Sequence, residues 1–93
     1  MSDVAAAPVA LTDQSFADAI ENAEQPVLVD FWAEWCAPCR MLGPILENLA
    51  KQAKGRWELA KVNTEEHQQA AMQYGVQSIP KVKLFIDGEA VNE

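Results

Sequence analysis

Ninety-three residues, 49% of them hydrophobic, suffice for one domain around a single core. A net charge of −7, from 14 acidic and 7 basic residues, repels a phosphate backbone and argues against nucleic-acid binding. No apolar run approaches the roughly 18 residues that cross a membrane, and Met1 to Ala7 has neither the basic nor the apolar part of a signal peptide, so no membrane partner and a cytoplasmic location are expected.

In chain order, residues 1–8 read as a loose leading segment of a single domain spanning 1–93. A short strand follows at Val9-Ala10-Leu11. Thr12 is a good N-cap for a first helix, in which Phe16, Ala19, Ile20 and Ala23 recur at helical spacing until Gln25-Pro26 stops it. Val27 to Trp32 is apolar on both faces, the pattern of a central strand in a covered sheet, and Asp30 interrupts it. From Cys36 to Ala53 the pattern turns helical, with Leu42, Ile45, Leu46, Leu49 and Ala53 on one stripe. Pro44 lies inside this helix and predicts a kink. Gly55 is expected to end it. Trp57 to Asn63 reads as the next strand, about Glu65 to Tyr74 as a third helix closed by Gly75, and Val76 to Pro80 as a loop. Lys81 to Ile86 is a strand, and Asp87-Gly88 a hairpin turn into a short last strand at Glu89. The order β-α-β-α-β-α-β-β predicts an α/β layered sheet. No helix follows to cover the sheet edge, so either the fold is cut short after residue 93 or another segment supplies the cover.

Chemistry concentrates at Cys36 and Cys39, the two cysteines of the chain. A bridge between them closes too small a loop to act as a staple, which leaves redox chemistry or a metal. Zinc needs more ligands than the pair and His67 supply, and Arg40 stands where covalent haem attachment requires a histidine. The bland alternative is two inert core thiols. Placed at a helix N-terminus, however, the first thiol gains from the dipole and the free N–H groups, and its i+3 neighbour lies within bridging reach. Pro38 fits the first helical turn, where its missing N–H is no loss. Asp30, a carboxylate in an apolar strand, should be desolvated and held toward neutrality, unless it sits at an exposed bend. Lys61 is either its partner or a solvated edge lysine. Trp32, Met41 and Trp57 are accounted for by packing, and His67 by an exposed position near the start of the third helix.

The run Asp30-Phe31-Trp32-Ala33-Glu34-Trp35-Cys36-Ala37-Pro38-Cys39-Arg40, with Pro44, Lys61 and Ile79-Pro80, resembles the thioredoxin family over roughly Leu11 to Glu93. The resemblance implies a thioredoxin fold: a central mixed sheet flanked by helices, here with a short last strand and no C-terminal helix. It implies a thiol–disulfide oxidoreductase that reduces protein disulfides. Cys36 would be the exposed nucleophile and Cys39 the buried resolving thiol, with Asp30 handling the Cys39 proton under the influence of Lys61. Pro80 would be cis, setting the Ile79 backbone beside the dithiol to pair with an extended substrate. Trp35, Ala37 and Pro38 would complete the substrate surface. Such proteins bind no cofactor and are recycled by a flavin-dependent thioredoxin reductase using NADPH. Ala37 stands where the family usually has Gly, which bears on thiol pKa, and Lys81 where it often has Thr, a cation that either approaches Cys36 or points to solvent.

A second reading belongs to another class. Pro44 to Leu49 and Leu59 to Val62 also resemble the N-terminal domain of thioredoxin–tetratricopeptide co-chaperones, which hold unfolding clients. A third is a scaffold inactivated by its missing end. A monomer is expected, with dimerisation or segment exchange the consequence of sheet surface left uncovered.

Overall fold

The computed structural model describes residues 8–91, so the leading segment lies outside the described residues apart from Pro8. The chain runs β1 (Val9–Ala10), α1 (Phe16–Glu21), β2 (Val27–Trp32), α2 (Ala37–Ala53), β3 (Glu58–Asn63), α3 (Gln68–Gln73), β4 (Lys81–Ile86) and β5 (Glu89–Ala90). The sheet order is β1-β3-β2-β4-β5. β1, β3 and β2 are mutually parallel, whereas β4 is antiparallel to β2 and β5 to β4, giving the expected mixed sheet. Asp87 and Gly88 both take positive φ, 55° and 83°, the type I′ geometry that joins β4 to β5. Among the described residues β5 is the last element.

Alternation along β2 divides the core. Val27, Val29 and Phe31 pack with Phe16 and Ile20 of α1, Ala70 and Ala71 of α3, and Phe85 of β4. Aromatic rings bind this layer: Phe16 lies 5.2 Å from Tyr74 and 5.7 Å from Phe85, and Tyr74 meets Phe85 edge-on at 5.1 Å. On the opposite face Leu46 and Ala50 of α2 pack on Leu59, flanked by Leu28, Trp57 and Val82. That layer is thinner, and Leu28, Val82 and Leu84 are only half-buried, so apolar surface is left partly open there.

The inward stripe of α2 keeps Leu42, Leu46 and Ala53 as expected but differs at Ile45 and Leu49. Cys39, Gly43, Leu46, Ala50 and Ala53 are buried, while Ile45 and Leu49 are 56% and 47% exposed and Met41 is exposed rather than packed. The helix has apolar residues on two sides, and the side with small residues faces the sheet because it permits closer approach. Its end also shifts by one position: Lys54, not Gly55 alone, turns left-handed at φ 53°.

Helix starts are set by side-chain hydrogen bonds. Thr12 Oγ1 accepts the Ser15 N–H and Ser15 Oγ accepts the Thr12 N–H, so Thr12 caps a turn that precedes α1. α3 begins at Gln68 rather than near Glu65 because Asn63 spends its side chain and carbonyl on a turn, accepting from Glu65, Glu66 and His67. Asp13 Oδ1 then accepts the Ala70 N–H at 2.8 Å, capping α3 from across the fold. His67 is half-buried, and its Nδ1 accepts the Asp13 N–H at 3.4 Å, so it is not the exposed residue expected. At the other end Gly75, at φ 69°, donates to Met72 and Val76 donates to Ala71, a Schellman closure.

The α2 assignment is testable by denaturant unfolding. Leu46→Ala should lose about 2–5 kcal/mol, and Ile45→Ala, on the exposed side, within about 0.5–1 kcal/mol.

Candidate functional site

The end of β2 delivers Trp32 and Ala33 to a tight turn in which the Cys36 N–H donates to the Ala33 carbonyl at 3.1 Å. Cys36 is the N-cap of α2, with extended backbone (φ −92°, ψ 99°), and its Sγ accepts the Cys39 N–H at 3.2 Å. Sulfur thus occupies the place a serine or aspartate oxygen takes in other helices. Ala37 and Pro38 fill the first helical positions, and the Arg40 guanidinium donates to the Glu34 carbonyl at 2.6 Å, tying the approaching turn to the helix. Cys36 and Cys39 form a disulfide, with their Cα atoms 5.2 Å apart.

The contrast expected between an exposed Cys36 and a buried Cys39 is absent in this disulfide form: the residues are 4% and 3% exposed. Cys36 packs in one buried cluster with Ala33 and Cys39, against Trp32 and Ile79. Beside it opens a groove of 370 Å³ lined by Trp35, Thr64, Ala71, Val76 and Ile79 among others. The Ile79–Pro80 bond is cis. Of the residues expected at the substrate surface, Trp35 and Ile79 line the groove. Ala37, Pro38 and Pro80 are exposed outside its lining. Trp35 is 67% exposed and donates its indole N–H to Glu65 Oε2 at 2.9 Å. Neither Glu65 nor this bond was legible in the sequence. Glu65 follows β3 as one of two consecutive acids, with nothing local to mark it. Lys81 is half-buried in β4 opposite Phe31.

Asp30 is fully enclosed, and neither carboxyl oxygen has a hydrogen-bond partner. The strand places it between Leu28, which packs in the layer under Leu46 and Ala50, and Trp32, which packs on the disulfide cluster. Burial pushes its carboxyl above the ordinary value of 3.8; Lys61 opposes this shift and Glu47 adds to it. Lys61 is the register partner of Asp30 on β3 and is half-buried, not an edge lysine, since β3 lies between β1 and β2. Its Nζ lies 3.5 Å from Glu47 Oε2 and 5.0 Å from the Trp32 ring centroid. Among the described residues no group of three or more His, Cys, Asp and Glu is arranged to hold a metal ion.

A raised folded-state value carries a definite sign. Between 3.8 and that value the folded chain keeps a proton that the unfolded chain has released. The Asp30 contribution is therefore fully present below about pH 4 and is lost as pH climbs toward the folded value. Asp30→Asn should remove this slope and exceed the parent in stability at neutral pH by about 1–3 kcal/mol. Thermal unfolding of the oxidised chain from pH 4 to 8 would read this as roughly 4–8 °C per kcal/mol, and an unchanged difference across that range would refute it.

The thioredoxin family model matches residues 7–93. Thioredoxin 1 of Nostoc sp. is 45% identical over 82 residues, covering 88% of this chain and 77% of its own. The thioredoxin of Rickettsia bellii is 47% identical over 79 residues, covering 85% and 75%. Among solved structures, a single-site mutant of a thioredoxin from Halobacterium salinarum superposes with a TM-score of 0.84 at 37% identity, covering 95% of this chain and 76% of that one. With a bridged Cys-Ala-Pro-Cys turn capping a helix beside a cis-proline loop, the chain belongs to the thioredoxin family of disulfide oxidoreductases.

Proposed function

We propose that this chain reduces disulfides in protein substrates and is returned to its dithiol form by a flavin-dependent thioredoxin reductase drawing on NADPH. The observation that carries the reading is the Cys36–Cys39 bridge at the start of α2, at the edge of a groove. In the reduced form, the free N–H groups and dipole of a helix of 17 residues favour thiolate on Cys36. That thiolate attacks a substrate disulfide, forming a mixed disulfide and releasing the first substrate sulfur. Cys39 loses its proton to the Asp30 carboxylate and attacks the Cys36 sulfur. The second substrate sulfur departs, and the bridge seen here is left. Two electrons pass to the substrate, and the reductase restores them.

The groove supplies the means of selection. An extended peptide lying between Trp35 and Ile79 meets an aromatic wall on one side and the exposed Gln77-Ser78 backbone on the other. Ala37 and Pro38 border the approach to the bridge. The domain needs no bound cofactor for this chemistry, since the sulfurs carry the electrons. A monomer in the cytoplasm fits the reading. Among the described residues no helix is long and apolar enough to cross a membrane. The relatives named above are thioredoxins, and the client-holding co-chaperone reading gains nothing from them.

Reduction of a protein disulfide, coupled to NADPH consumption through thioredoxin reductase, tests the proposal. Cys36→Ser should abolish turnover, by roughly 10³-fold or more on the scale of a lost nucleophile. Cys39→Ser should instead accumulate a mixed disulfide with substrate, visible as a mass adduct. Turnover that survives Cys36→Ser would sink the assignment.

A further inference from the structure

A buried carboxylate and a lysine face each other across adjacent strands, yet the lysine is engaged elsewhere. Asp30 and Lys61 are register partners in β2 and β3. Asp30 has no hydrogen-bond partner, while the Lys61 ammonium lies 3.5 Å from Glu47 Oε2 and over the Trp32 ring. Gly43, one turn before Glu47 on α2, makes this possible: a Cβ there would come within 3.3 Å of Lys61 Nζ. The ammonium therefore sits against the helix in a space that a missing side chain provides.

The preference has a physical cause. The Glu47 side chain is 40% exposed and that of Lys61 22%, so their pairing keeps both groups partly hydrated. Moving the ammonium down to Asp30, which is fully enclosed, would strip water from a second charge. The other groups around Asp30 do not compete for this role. Val82 stands opposite it on β4, Cys39 of α2 is held in the bridge, and Glu34, Glu66 and His67 line a cleft that Lys61 borders and Asp30 does not.

We propose that Glu47 is a positioning residue: it grips Lys61 against α2, withholds that cation from Asp30, and thereby sets the proton affinity of the buried carboxyl. This rests on the redox reading only for its consequence, namely that Asp30 receives the Cys39 proton. In that step the Cys39 S–H bond breaks and its proton passes to Asp30. The Cys36–Cys39 bond then forms as the bond from Cys36 to the substrate sulfur breaks, and the departing thiolate takes a proton from solvent. A carboxylate kept short of its counter-ion is the stronger base, closer to a thiol in proton affinity. Glu47 acts on the reaction without touching the sulfurs, from a position that reads in sequence as an ordinary solvated helix residue.

The test needs no turnover. In the oxidised chain, aspartate labelled with ¹³C at the side-chain carboxyl reports the Asp30 titration by NMR, with the signal assigned from Asp30→Asn. Glu47→Gln should move the midpoint to lower pH, because a repelling charge is gone and Lys61 is free to lean inward. In a Lys61→Met background the same substitution should move it less, since only the direct repulsion remains to be lost. A midpoint unmoved by Glu47→Gln would overturn the proposal. So would a shift equal or larger without Lys61, which would make Glu47 a distant charge that positions nothing. A titration that behaves as expected in a chain without reductase activity would leave this inference standing and remove the functional one.

Discussion

Burial of β2 on both faces is the constraint from which the rest of the molecule follows. A strand covered on one side by the α1–α3 layer and on the other by α2 must present apolar residues at nearly every position, and Val27 to Trp32 does so except at Asp30. The same strand ends at the turn that aims Cys36 into the N-terminus of α2. Position and reactivity are thereby joined: the element that supplies most cohesion also carries the buried acid and delivers the sulfurs. Phe31, fully buried, contributes roughly 1.5–3 kcal/mol of hydrophobic stabilisation by itself. Such contacts offset the penalty of an enclosed, unpartnered carboxyl in a domain whose net stability is only about 5–15 kcal/mol.

Two electrostatic environments meet within one side of the sheet. The helix N-terminus favours negative charge at Cys36, and the interior beneath the helix disfavours it at Asp30. The fold thus favours the charged form of one group and disfavours that of the other. Lys61 could erase the distinction by settling on Asp30. The half-hydrated pair with Glu47, the Trp32 face and the space over Gly43 keep it elsewhere.

Legibility in the sequence tracked how local the cause was. The bridge and its helix were readable because Cys36 to Cys39 is one turn of chain. The buried acid was readable because Asp30 breaks an apolar strand. The inward face of α2 was read correctly at Leu42, Leu46 and Ala53 but misread at Ile45 and Leu49, which are larger than Gly43 and Ala50; pattern reading weighs size where packing rewarded closeness. Glu47 and Glu65 were invisible, since an acid that pairs across the fold looks the same in sequence as an acid in water. The near-equal burial of Cys36 and Cys39 was not readable, because it depends on how Trp32, Ala33 and Ile79 from other parts of the chain close over the sulfurs.

The bond between Asp13 and Ala70 reaches across 57 residues of chain. A helix of six residues, as α3 is, has little capacity to nucleate alone. Its first turn is closed by a residue of the segment leading into α1, so the wall that Ala71 and Val76 give to the groove depends on two distant parts of the chain having met. In hydrogen-exchange terms, Ala70 and the amides that follow it should open together with the α1 entry turn, as one cooperative unit. The groove is thus assembled by the topology of the chain, and its rim rests on a contact of high sequence separation.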